Sequence, residues 1–291
     1  MRQPDLVVSG WFGFESRILY FCVMIHILGI VNVNGDSFWA RSRAGAGNVV
    51  RRVETMLEEG ATEVDFGAVS SRPGAELLPW EEEWGRLEPA LKAVRAAFPE
   101  LGISVDTWSS EVVRRALDTV GPFIVNDISA GAFDPAILPV TGKLGLRYIA
   151  MHMRGTPKTM QGLTDYTDVV EDVKEYFRGF ALKASENGIE DWILDPGFGF
   201  AKTVEQNYEL LGRLAEFKDF GRPVLAGLSR KSMIWKLCGG GPEDALAGTQ
   251  VLNYAALERG ATWLRVHDVA EAARTVKIYS AMYTSSPGAV K

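Results

Sequence analysis

The sequence predicts an α/β chain folded as a single (β/α)8 TIM barrel, and three observations carry that expectation. First, one unit recurs: an amphipathic helical stretch, a glycine, a short apolar segment and a polar loop, as in EEGATEVDFG, ENGIEDWILDPG and ERGATWLRVHD. Second, eight such apolar segments alternate with helical patterns, which argues for a parallel sheet with helical crossovers. Third, no G-x-G-x-x-G follows the first segment, which removes the usual fingerprint of a doubly wound open sheet, the runner-up architecture.

The elements read in order as follows. Strands are expected at 24–31, 62–66, 102–106, 122–126, 146–151, 191–194, 223–227 and 262–266. After the first strand, VVRRVETMLEEG places apolar residues at 49, 50, 53, 56 and 57, a helical stripe. WEEEWGRLEPALKAVRAAF, SSEVVRRALDTV, DVKEYFRGFALKASENG and ALAGTQVLNYAALERG behave similarly, and SRKS opens a helix through MIWKL. Gly60, Gly188 and Gly260 are placed to stop helices in the left-handed conformation. No linker divides the chain, so residues 21–285 read as one barrel domain preceded by an extension, 1–20, of unknown role.

Composition narrows the function classes. The chain has 291 residues, 47% hydrophobic and 23% charged, enough to bury a large single core. Its net charge is −6 and no basic run stands out, which argues against nucleic acid as a partner. Cys22 and Cys238 lack metal or redox spacing and read as reduced packing residues in a cytoplasmic protein. The apolar run Ile18–Val33 is shorter than the roughly 20 residues of a membrane span and carries His26. Asp5 and Glu15 precede it, which weakens a signal-peptide reading.

In such barrels the active site lies at the carboxyl ends of the strands. The residues there are Asn32, Asp65, Asp106, Asn126, His152 and Asp195, with Lys231 just beyond strand seven and Arg265 and His267 at strand eight. Any one of them could cap a helix or shape a turn. So many on one rim is harder to attribute to capping. Asp106, Asn126, Asp195 and Lys231 suit the donor and acceptor edge of a flat heterocycle such as a pterin or purine. Arg72, Arg265 and His267 suit phosphate or pyrophosphate. Asn32 and Asp36 offer hard oxygens that suit Mg²⁺. Together these point to transfer of a group activated by pyrophosphate. The loop SSRPGA has the character of an anion cradle, and DPGFGFAK offers Phe198 and Phe200 on a glycine-rich loop. His152 reads as a hydrogen-bonded structural residue, and no serine elbow or zinc motif is present in the sequence.

The segments GIVNVNGDSF, VDFGAVSSRPGA, SVDT, VNDISAG, MHMRGTPKTMQ, DPGFGFAKTVEQN, GLSRKSMI and RVHDV, in this order, resemble the dihydropteroate synthase family. The resemblance spans about residues 28 to 270. It implies a homodimeric barrel that joins 6-hydroxymethyl-7,8-dihydropterin pyrophosphate to 4-aminobenzoate, with Mg²⁺, in folate biosynthesis, and that sulfonamides target. It assigns the pterin to Asp106, Asn126, Met153, Asp195 and Lys231, and Mg²⁺ to Asn32. It assigns the pyrophosphate to Ser71, Arg72, Arg265 and His267, and the aminobenzoate pocket to Ser71, Pro73, Phe200, Lys231 and Ser232. Catalysis would rest on Asp36, Asp106 and Lys231. The chain departs from the family at Asn34 and Gly35, where Thr and Pro are usual, at Ala68, Val69 and Ser71, and at Ala201, where Gly is usual. A methyltetrahydrofolate methyltransferase would share the pterin-holding Asp and Asn, but would have no pyrophosphate for SRK, RVHD and SSRPGA to hold. A degenerate, non-catalytic pterin-binding barrel draws support only from the loop departures.

Overall fold

In the computed structural model, which describes residues 24–33, 42–70, 74 and 76–284, eight parallel strands form one sheet in the order β6-β5-β4-β3-β2-β1-β8-β7. The strands are β1 His26–Asn32, β2 Glu63–Gly67, β3 Gly102–Asp106, β4 Ile124–Asp127, β5 Arg147–Met151, β6 Trp192–Asp195, β7 Leu225–Ala226 and β8 Trp263–Val266. A single parallel bridge, Leu194 to Val224, joins β6 to the segment entering β7 and closes the barrel. Both the expected fold class and the eight expected strand positions are therefore observed.

Each crossover carries helix. The α-helices are α1 Ser42–Glu59, α2 Trp80–Ala97, α3 Ser110–Val120, α4 Ile137–Leu144, α5 Val169–Glu186, α6 Val204–Gly212, α7 Ser232–Cys238, α8 Leu246–Glu258 and α9 Val269–Thr284. Local chemistry fixes several starts. Asp168 caps α5 by accepting from the Val170 and Glu171 amides, and Thr203 forms a capping box with Gln206 on α6. Gly60, Gly188 and Gly260 adopt the positive φ that the helix-stop reading requires.

Two apolar regions follow from the alternation of side chains along each strand. Outward residues such as Val64, Phe66, Val105 and Leu194 pack with the helices in one large core. Leu28, Ile124, Ile149, Ile193, Leu225 and Trp263 form a separate plug inside the barrel. Below it His26 stacks on Trp263, with ring centroids 4.1 Å apart, and bonds Glu63 at 2.8 Å. The plug fills the lower barrel with hydrocarbon and separates the His26–Glu63 pair from the polar side chains at the carboxyl end.

Four expectations need correction. Asp65 is not at a strand end. It is the middle residue of β2, in register with Ile30 and Ser104 and one inward-facing layer below the rim. The seventh strand is shorter than the expected 223–227, because Pro223 has no N–H to give the ladder. Helices α4, α6 and α9 were not anticipated; α4 has only eight residues and contains Pro139 and Gly142, both weak helix formers. Cys238 is exposed at the end of α7 rather than packed. Cys22 lies outside the described residues.

Candidate active site

The register explains how the rim residues meet. Asp106 pairs with Gly67 on one side and Asn126 on the other, so β3 and β4 present them in one layer. Asp65, one layer down, collects three donors. Its Oδ1 accepts from Ser104 Oγ at 2.5 Å, and its Oδ2 accepts from Asn126 Nδ2 at 3.0 Å and Arg265 Nε at 2.7 Å. Arg265 Nη2 lies 2.6 Å from Asp65 and 2.8 Å from Asp106. Asp65 is fully buried while Arg265 remains 23% exposed, so the guanidinium bridges core and mouth. The two carboxylates push the Arg265 pKa above its ordinary value against the opposing effect of burial. Burial raises Asp106, while Arg265 pulls it back down.

Across the mouth, Asp195 ends β6 and Lys231 follows β7. Asp195 Oδ1 accepts from the Gly197 amide at 2.8 Å. A Cβ on Gly227 would lie 3.8 Å from Lys231 Nζ and 3.9 Å from Asp195 Oδ2, so a bare backbone borders both groups. Lys231 Nζ also donates to the Phe198 carbonyl and stands 4.7 Å from the centroid of Phe200. Burial pulls the Lys231 ammonium down to about 8, although Asp195 works in the opposite direction.

The loops after β7 and β8 are joined side by side. Ser229 Oγ accepts from the His267 amide at 3.1 Å and lies 3.0 Å from His267 Nδ1. Arg230 makes a two-pronged contact with Asp268 at 2.9 and 2.8 Å and donates to the Pro242 carbonyl. This cross-link ties the turn that leads into α7 to the loop that carries His267, a relation that neither segment reveals alone. Met153 lies in an apolar floor with Trp108, Ile128, Met151, Met160 and Ala201, against which Phe200 packs. Asn32 is exposed at the end of β1.

The structure thus brings together Asp106, Asn126, Asp195, Lys231 and Arg265, and sets Met153, Phe200 and His267 on following loops and Ser232 at the start of α7. Asp36, Ser71, Arg72 and Pro73 lie outside the described residues. His152 is indeed hydrogen-bonded, to buried Lys202 at 3.0 Å. The sequence placed Asp65 on the rim without a task of its own, counted Arg230 only within the SRK motif, and gave no role to Ser104, Lys202 or Asp127. Asp127 anchors the loop after β4: it accepts from Tyr148 Oη at 2.6 Å, from the Ser129 amide and hydroxyl at 2.7 Å each, and from the Gly131 amide at 2.8 Å. The alternating polar residues of β2 and β3, Asp65, Ser104 and Asp106, were the available signal for a polar interior.

Comparison with known proteins places this geometry. The family model described as pterin binding enzyme matches residues 28–267. The dihydropteroate synthase of Escherichia coli (strain K12) is 42% identical over 262 residues, covering 88% of this chain and 91% of that protein. That of Synechocystis sp. is 40% identical, covering 89% and 90%. Among solved structures, Xanthomonas albilineans dihydropteroate synthase with 4-aminobenzoic acid superposes with a TM-score of 0.82 at 36% identity, covering 91% of this chain and 94% of that one. A Yersinia pestis dihydropteroate synthase with a sulfonamide drug complex gives 0.84 at 33% identity, covering 94% and 99%.

Asp65 is the acceptor on which Asn126 and Arg265 both depend. Asp65→Asn is expected to lower folding stability by about 3 kcal/mol, since it removes the buried charge to which Ser104, Asn126 and Arg265 bond. A urea-unfolding midpoint equal to that of the parent would show that the cluster does not depend on Asp65.

Proposed function

The chain belongs to the pterin-binding enzyme family and catalyses the dihydropteroate synthase reaction of folate synthesis; on that premise we propose how its barrel mouth divides the work. The observation that carries the proposal is the convergence of Asp106, Asn126, Asp195 and Lys231 above an apolar plug. Two carboxylates, an amide and an ammonium match the alternating donors and acceptors of a pterin edge, and Met153 supplies an apolar face for the ring. Arg265 and His267 hold the pyrophosphate, with Ser71 and Arg72 from the second loop. Phe200, Lys231 and Ser232, with Ser71 and Pro73, enclose 4-aminobenzoate.

The chemistry follows from that placement. The bond between the pterin methylene and the pyrophosphate oxygen breaks, and its electron pair leaves with the pyrophosphate. Cationic donors aimed at this oxygen act where charge accumulates. The methylene is left cationic beside Asp106, with Asp36 assigned to the same task from the first loop. The arylamine nitrogen then forms the new C–N bond, and its proton leaves to pyrophosphate or water. No protein nucleophile is needed. Mg²⁺ binds through a few protein oxygens together with water and substrate phosphates, and the exposed amide of Asn32 is a donor of that kind. When bound, the ion neutralises charge on the departing pyrophosphate.

A homodimer is supported by the apolar face of α8 and α9. Val251 is 66% exposed, Ile278 60% and Met282 58%. Apolar surface of this kind marks association sites. Among the described residues no helix is long and apolar enough to cross a membrane.

Purified protein with dihydropterin pyrophosphate, 4-aminobenzoate and Mg²⁺ is expected to release pyrophosphate only when aminobenzoate is present; aminobenzoate-independent or absent release would overturn the assignment. Lys231→Ala is expected to cut turnover about 100-fold or more with circular dichroism unchanged, and Arg265→Ala to do the same at a lower unfolding midpoint, since it leaves Asp65 without its cation. Near-normal turnover in both would show that the site lies elsewhere.

The pH profile tests Lys231 separately. A lysine lowered to about 8 is charged below that pH and neutral above it, so kcat/KM is expected to fall as pH rises through about 8. Lys231→Arg keeps its charge throughout and is expected to remove that alkaline limb whatever its absolute rate. An unchanged limb in the variant would assign it to another group. For the dimer, Val251→Glu with Ile278→Glu is expected to give monomers by light scattering, and a persisting dimer would place the interface on another face.

A further inference from the structure

Lys202 and His152 are both buried, and the mechanism above uses neither. Lys202 Nζ reaches three acceptors: the Gly197 carbonyl at 2.9 Å, the Phe200 carbonyl at 3.1 Å and His152 Nδ1 at 3.0 Å. An ammonium has three protons to donate, so this set satisfies it completely. A neutral amine would also be satisfied, by accepting from Nδ1–H. His152 is itself held. Its ring lies edge-on to Tyr176 with centroids 4.9 Å apart, and Tyr176 Oη donates to the Met151 carbonyl at 3.2 Å.

The consequence lies in the 195–202 loop. Its carbonyls at 197 and 200 go to Lys202, and that at 198 goes to Lys231. Its Gly199 amide goes to Asn207 Oδ1 at 2.6 Å. Gly197 has φ +70, and a Cβ there would stand 2.0 Å from the His152 carbonyl, so the loop rests directly on the end of β5. Phe200 is therefore displayed by a segment strung between two lysines, one at the mouth and one behind it. Asp106 and Asn126 depend instead on Asp65 and Arg265.

We propose that Lys202, held in place by His152, is a positioning residue that fixes Phe200 for the arylamine substrate. The inference rests on the synthase reading and adds a specific division: Asp106, Asn126 and Arg265 are held among the strands through Asp65, whereas Phe200 depends on a loop tied from behind. A displacement of about 1 Å in such a loop is enough to lower turnover strongly while the strand-held anchors stay in place.

The test is Lys202→Met, which keeps the length of the side chain and removes its donors. The KM for 4-aminobenzoate is expected to rise about tenfold or more, while calorimetric affinity for dihydropterin pyrophosphate stays within about threefold. A KM within about twofold of the parent, or a parallel loss of pterin affinity, would overturn the proposal. If Lys202→Met melts below the assay temperature, a second pair decides. His152→Asn keeps an acceptor for Lys202 and is expected to retain a low KM, whereas His152→Leu is expected to raise it. Equal values in the two would overturn the proposal. A parent that shows no aminobenzoate-dependent pyrophosphate release would defeat the synthase reading itself, which these variants do not address.

Discussion

A guanidinium gripped by two carboxylates in the barrel interior is the constraint on which the rest of the mouth depends. Asp65 is fully buried, and a buried carboxylate is tolerable only with charge and hydrogen bonds returned to it. Arg265 supplies the charge, and Ser104 and Asn126 supply the bonds. The same guanidinium then reaches up to Asp106 at the rim. One arginine thereby sets the height of two acidic residues and, through Asp65, the rotation of an amide on β4. The apolar plug below leaves these groups no water from the lower barrel, which strengthens each contact.

The surrounding loops are held by different means. Ser229 with His267, and Arg230 with Asp268, fuse the loops after β7 and β8 into one unit. Arg230 has φ +55, a conformation that disfavours side chains, and its two-pronged contact with Asp268 compensates. Ala201 has φ +48 and is fully buried in the floor beside Met153. The family's usual glycine fits that left-handed conformation without strain, whereas alanine holds it at a cost of about 1 kcal/mol. A departure that first reads as loop drift is therefore a local strain beside the pocket.

The sequence made the strands and the rim legible because both rest on short-range signals. A glycine after a helix, an apolar run and a polar residue at its end identify Asp106, Asn126 and Asp195 without any tertiary information. Depth and pairing were not legible. Asp65 looked like another rim residue because an error of one or two positions at a strand end moves a side chain by a whole layer. Its partner Arg265 is 200 residues away. Lys202 escaped notice because a lysine in a glycine-rich loop reads as solvated, and only the fold turns it inward onto two carbonyls. Helix α4 was missed because its proline and glycine mask an apolar stripe that tertiary packing supplies anyway. The first loop, with Asn34, Gly35 and Asp36, lies outside the described residues.

Charge at the mouth explains why the reaction calls on groups beyond the barrel. Asp65, Asp106 and Asp195 face Arg265 and Lys231, so each of these two cations already has a carboxylate partner before any substrate arrives. Asp127 stands apart, satisfied by neutral donors. A pyrophosphate ester brings further negative charge that this set cannot absorb without drawing Arg265 or Lys231 from its carboxylate. On the proposed reading, cations from outside the set, Arg72 and Mg²⁺, would meet that need. On the same reading the strand-held groups take the heterocycle, and cations added to them take the leaving group. That separation also accounts for where the chain departs from its relatives. Substitutions accumulate in the loops at 34–35, 68–71 and 201, while the charges that balance one another on the strands are those the family motifs share.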